Sequence, residues 1–174
     1  MELTEILIKS FWSGIAAIGF AILFNVPRRT LLAIWSMGAV GGLIKFSVMY
    51  FEAGIVFASF LGATAIGIIS IQMAHMRNSP PLVFSIPSVI PMVPGFFAYK
   101  MMLGLIALTS IENTDVYLQT LIETVNNGAK MMFVLISLGI GVSLPMLLMR
   151  KESVKKLKFS KTKKAAVQTK LNEN

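Results

Sequence analysis

An all-α, polytopic membrane protein with five spanning helices, the fourth broken by prolines, is the fold class the sequence predicts. Three observations carry it. The 174 residues are 55% hydrophobic and only 14% charged, with a mean hydropathy of +0.74, against about 25% charged residues in an ordinary soluble domain. Five apolar runs of the roughly 20 residues a span requires alternate with short polar connections. Pro87, Pro91 and Pro94 then fall within one of those runs and are followed at once by Gly95.

The first span is expected over about Glu5–Phe24, with small residues at Gly14, Ala17 and Gly19. The opening Met-Glu-Leu-Thr-Glu lacks the basic segment and cleavage site of a signal peptide, so it reads as a retained span. Asn25, Val26, Pro27, Arg28 and Arg29 form a cytoplasmic turn, because proline disfavours a helical residue before it. The second span, about Thr30–Phe51, carries Lys45 and the helix-packing pair Gly38 and Gly42, whose spacing lets a neighbouring backbone approach. After the tight turn Glu52–Gly54 comes the third span, about Ile55–Ala74, with Ala63 and Gly67 as a second packing pair. A loop from His75 to Pro81 leads into the fourth, about Leu82–Leu108.

Each proline of that span lacks an N–H and crowds the carbonyl four residues back. The acceptors of Val83, Pro87 and Ile90 therefore lose their usual donor, and in hydrocarbon such backbone survives only inside protein or beside water. Discontinuous helices of this kind form solute sites in transporters. Pro87, Pro91, Pro94, Gly95 and Tyr99, together with Lys45 and Lys100, are accordingly the candidate substrate path. If a half-helix starts after Pro94-Gly95, the N–H groups of Phe96 to Ala98 present partial positive charge to a carboxylate. Lys45 lies roughly 9 Å from the outer end of its span at 1.5 Å per residue. It either snorkels to the interface or draws an anion into an outer vestibule.

From Ser110 to Gly128, Glu112, Asp115 and Glu123 mix with Leu118, Leu121, Ile122 and Val125 in a 3-4 spacing, giving a surface helix with one apolar face that runs toward the fifth span, about Ala129–Met149. Residues 1–149 make the membrane domain. Residues 150–174, with nine of the sixteen Lys and Arg, form a basic cytoplasmic tail without much apolar content, expected to be disordered and suited to anionic lipid headgroups. Placing the N-terminus outside and the C-terminus inside puts Arg28, Arg29, Arg77 and the tail on the positive, cytoplasmic side.

Enzyme readings find no support. Zinc-binding, phosphate-loop and nucleophile-elbow motifs are missing, cysteine is absent, and no Asp or Glu lies well within a span. The expectation is therefore no catalytic residues, no metal, no cofactor and no nucleic-acid partner. The basic charge belongs to the tail rather than to a basic domain.

Phe24-Asn25-Val26-Pro27, the Gly38-x-x-Gly41 span with Lys45, and Ile90-Pro91-Met92-Val93-Pro94-Gly95-x-x-Ala98-Tyr99 together resemble the threonine/serine exporter (ThrE) family, in order and spacing over about Ile15–Leu148. Within it the likeness is to the small five-span component of the two-component form. The resemblance implies a larger five-span partner subunit, location in the cell (inner) membrane, and export of small carboxylates such as threonine, serine or succinate. Lys100 and the basic tail lie outside the family pattern. The rival reading is a non-transporting scaffold or regulatory subunit of another membrane complex, which the small-residue faces fit equally well.

Overall fold

The computed structural model describes residues 2–110 and 113–149; the basic tail of 150–174 lies outside them. Six α-helices and two short 3₁₀ segments make up the described chain, with no strand among the described residues. In order these are α1 (Leu3–Leu23), a 3₁₀ turn (Arg28–Thr30), α2 (Leu31–Tyr50), α3 (Ile55–Arg77), α4 (Pro81–Val89), a 3₁₀ segment (Ile90–Met92), α5 (Gly95–Leu108) and α6 (Thr114–Met149). Four helical stretches are long and apolar enough to cross a bilayer, and α4 with α5, bent by 54° at the break, makes a fifth if counted as one span.

Small residues set how closely the helices approach. The buried stripe of α1, Ile6, Ser10, Gly14, Ala17 and Ala21, repeats every three or four residues and faces α2. A Cβ on Gly14 would stand 2.8 Å from the Trp35 carbonyl oxygen, and one on Gly38 would stand 2.7 Å from the Ala17 methyl. Gly42 meets Ser13. Between α3 and α6, Gly67 lies against the Val142 carbonyl and Gly141 against Ala63, while the Ser137 hydroxyl donates to the Val56 carbonyl at 2.9 Å. The core formed this way contains Ile34, Met37, Ile66, Phe84, Met92, Val134 and Leu138.

The turns follow from backbone chemistry. Asn25 adopts a left-handed conformation (φ 55°) that ends α1, with the Val26 N–H returning to the Ala21 carbonyl; asparagine tolerates this region better than most residues. Pro27 opens the 3₁₀ turn, and its carbonyl accepts both the N–H and the hydroxyl of Thr30. Arg28 and Arg29 complete the turn, and Arg77 ties the end of α3 to it by donating to the Arg29 carbonyl at 2.9 Å.

One boundary differs from the expectation. The third helix runs to Arg77 rather than Ala74, ending where Asn78 turns left-handed. The surface helix, expected to run on toward the fifth span, does so as a single 36-residue helix, α6, with Gly128 packed against Met101 without interrupting the backbone. The break in the fourth span is nearer one end of the bundle than its middle. Met92 packs on Gly41, Gly62 and Lys45, about two turns from the α2–α3 turn at Gly54. Beyond it, α5 packs along the first half of α6, with Gly104 on Thr124. That α5–α6 hairpin extends past the Gly54 end of α1–α3.

Candidate functional site

The break is built from the prolines outward. Pro87 lies inside α4, Pro91 within the 3₁₀ segment, and Pro94 caps α5. Val93 is extended, its N–H bonding the Ile90 carbonyl at 3.0 Å, so that acceptor is recovered by a tighter turn once Pro94 cannot serve it. Gly95 donates back to Val93. The Pro94 carbonyl takes the N–H groups of Phe97 and Ala98 at 3.1 and 3.3 Å. Two of the three donors expected to greet a carboxylate are therefore engaged by the chain itself.

The Met92 carbonyl is satisfied differently. Lys45 Nζ donates to it at 2.9 Å, across 47 positions of sequence. Lys45 is only 7% exposed and is the one charged side chain among the buried described residues. It does not snorkel: the glycines around it let its stem run inward. Gly62 brings α3 against the Lys45 Cβ and the Met92 methyl, and Gly42 opens α2 toward α1. An ammonium has three donors, and the Met92 carbonyl takes one.

The remaining donors belong to a groove of about 320 Å³ lined by Lys9, Trp12, Ser13 and Ala16 of α1, Gly42, Lys45 and Phe46 of α2, and Pro91 and Met92 of the break. That size is at the small end for ligand sites. Its chemistry is two aromatic walls, one hydroxyl and two ammonium groups. Ser13 donates to the Gly38 carbonyl at 3.1 Å, and Lys9 stands 3.5 Å from Glu5 at the exposed rim. An exposed pair of this kind contributes at most about 1 kcal/mol, so Lys9 is free to turn to a ligand. A larger cleft of about 480 Å³ between α3 and α6 is lined by Phe57, Phe60, Phe133 and Ile140. Ser137 is the single polar side chain there, and it already bonds Val56, so that cleft has nothing to offer a carboxylate.

Of the residues expected along a substrate path, the groove brings together Lys45 and Pro91. Pro87 is buried within α4, and Pro94 and Gly95 adjoin the break without lining the groove. Tyr99 and Lys100 are on α5, outside the groove; Tyr99 is 63% exposed, and Lys100 lies over the Phe96 ring at 4.8 Å. Sequence reasoning passed over Lys9, Trp12 and Ser13. Their i, i+3, i+4 spacing, continued by Ala16, was the available signal: a basic, aromatic and hydroxyl group on one helical face.

Apolar helices packed through glycines, with a proline break stitched by a buried lysine beside a small cationic groove, describe a multi-pass membrane protein. Residues 9–148 match the family described as Threonine/Serine exporter, ThrE. The chain belongs to that family, whose members are transporters, and with its apolar helices it is a multi-pass protein of the cell membrane. A relative from Haemophilus influenzae (strain ATCC 51907 / DSM 11121 / KW20 / Rd), described as an uncharacterized protein, is 29% identical over 144 residues, 83% of this chain and 48% of the relative. The chain thus spans about half the length of that curated relative. No solved structure matches.

Proposed function

We infer that this chain is the small membrane subunit of a two-component exporter of small amino or dicarboxylic acids, completed by a larger five-span subunit. The observation that supports it is the Lys45 ammonium held by the Met92 carbonyl at the proline break, buried at the base of the groove. A buried charge in a span is costly and tends to mark a solute pathway. Here it stands at the backbone that Pro91 and Pro94 interrupt.

In this reading a carboxylate enters past Lys9, its hydrocarbon part lying between Trp12 and Phe46, and its oxygens take the free donors of Lys45. The carboxylate then competes with the Met92 carbonyl for the ammonium. Binding loosens the one side-chain tie between α2 and the break, and the 54° bend is where the path opens. N-out/C-in topology puts the groove near the outer surface, as an exit vestibule. The partner subunit supplies the titrating group that couples export, since no carboxylate of this chain lies well within a span.

The test is efflux from cells with and without this gene, the partner gene present throughout. Deletion is expected to raise intracellular threonine, serine or succinate and slow its appearance in the medium. Unchanged accumulation of all three contradicts the reading.

A further inference from the structure

The end of the bundle away from Gly54 consists of the turn between α1 and α2 and the last turn of α3. Arg28, Arg29 and Arg77, the arginines of the described residues, all stand there, and all three are exposed. The described lysines, Lys9, Lys45, Lys100 and Lys130, lie toward the other end or beyond it. So do the described carboxylates, Glu2, Glu5, Glu52, Asp115 and Glu123. Among the described residues, no acid shares the arginine end.

The three guanidinium groups come from two elements held together. Arg77 Nη1 donates to the Arg29 carbonyl at 2.9 Å, which sets the end of α3 on the turn that carries the other two. That turn is fixed from inside, where buried Thr30 gives both its N–H and its hydroxyl to the Pro27 carbonyl. A guanidinium has five donors, and Arg77 spends one of them here. The helical stretches that end at these arginines, Arg28–Tyr50 and Ile55–Arg77, are 23 residues each. At 1.5 Å per residue that is about 35 Å, against a hydrocarbon core of about 30 Å. The arginines thus reach the headgroup level, and the exposed Leu23, Phe24, Leu32 and Met76 offer apolar surface to acyl chains.

We propose that Arg28, Arg29 and Arg77 form a site for the phosphate of an anionic phospholipid headgroup. The residue type carries the argument. Lysine and arginine serve alike to orient a chain in the membrane, so topology does not require arginine at all three positions. The planar fork of a guanidinium takes phosphate oxygens in pairs, whereas an ammonium acts as a point charge. Three positive charges with no acid beside them disfavour a headgroup that carries its own cation. The apolar side chains selecting for a lipid have no use to free phosphate in water. A phosphate shared by Arg77 and the turn adds to the Arg77–Arg29 bond and fastens α3 to the α1–α2 hairpin. The site stands independently of the groove.

The test is thermal unfolding of the full chain in neutral detergent, titrated with phosphatidylglycerol. The midpoint should rise by about 5 °C at saturation, as it does for a ligand that binds the folded state alone. Phosphatidylcholine and inorganic phosphate at the same concentration should add less than about 1 °C, being outside the site's chemistry. Arg28→Lys, Arg29→Lys and Arg77→Lys together keep the charges that fix insertion and should cut the shift to less than about half. Arg28→Gln, which leaves the Arg77–Arg29 bond in place, should lower it as well, and Lys130→Gln should leave it whole. The proposal is overturned if phosphatidylglycerol gives no shift, or if phosphatidylcholine or inorganic phosphate matches it. A shift undiminished in both the triple lysine chain and Arg28→Gln also overturns it, since attraction is then diffuse, the basic tail included.

Discussion

Replacing Lys45 by methionine isolates the groove's central interaction, because methionine keeps the length of the stem and removes the ammonium. The Met92 carbonyl loses its donor, which costs about 1 to 3 kcal/mol for a buried acceptor left unpaired. Removing a charge from within a span recovers about 2.5 to 3.5 kcal/mol. The two nearly offset, so Lys45→Met protein should accumulate in the membrane and elute from detergent columns like the native chain. Binding has no such offset. A charge-assisted hydrogen bond to a carboxylate contributes about 1.5 to 3 kcal/mol, and its loss weakens apparent affinity roughly 10- to 140-fold at 1.4 kcal/mol per tenfold. The assay is efflux of radiolabelled serine, threonine and succinate from proteoliposomes holding this chain and its partner, over a range of internal concentrations. Lys45→Met protein that is present in normal amount with apparent affinity within about threefold of native refutes the reasoning, since no charged hydrogen bond is worth so little in a buried site.

Two further perturbations follow from the same geometry. Gly62→Ala places a Cβ against the Met92 methyl and 2.8 Å from the Gly41 carbonyl oxygen, whereas Gly19 has no neighbour within 4 Å. Gly62→Ala should therefore lower stability by about 1 to 3 kcal/mol, as overpacking does, and Gly19→Ala should leave thermal unfolding in detergent unchanged. Pro91→Ala together with Pro94→Ala gives Pro87 a helical donor, lets Ile90 exchange its Val93 donor for a helical one, and lets α4 continue toward α5; the doubly substituted chain should still assemble but lose at least about tenfold of its flux, because the break is gone. Assembly with undiminished flux would favour the scaffold reading.

Much of the fold was legible because a bilayer limits the solutions. Apolar runs of bilayer length must be helices, and α1, α2 and α3 lie within a few residues of their expected bounds. The prolines marked the break for a local reason, the missing N–H, and the bend falls between Met92 and Gly95. What local chemistry could not reveal was depth and partnership. Lys45 bonds a backbone carbonyl 47 residues away, and a carbonyl has no residue type to recognise, so the lysine read equally as a snorkelling anchor. Lys9 was not legible as a groove residue because its groove exists only once Gly42 lets α1 and α2 close together. Tyr99 and Lys100 were placed on the path by nearness in sequence to the break, but the bend carries α5 away to pack on α6. The continuity of α6 was partly legible: its polar first half reads as a surface element running toward the fifth span, and nothing in Asn126-Asn127-Gly128 prevents the helix from running through.

The most direct test of a carboxylate held by Lys45 places a single cysteine at Ser13, which lines the same groove, in a chain that has no other. With Ser13→Cys protein in proteoliposomes with its partner, a saturating amount of transported serine, threonine or succinate should slow modification by a small polar maleimide about tenfold, as expected for occlusion of a site this small. The same protection should vanish when Lys45→Met is added. Labelling indifferent to every one of these acids, or protection that survives the loss of Lys45, would contradict the account.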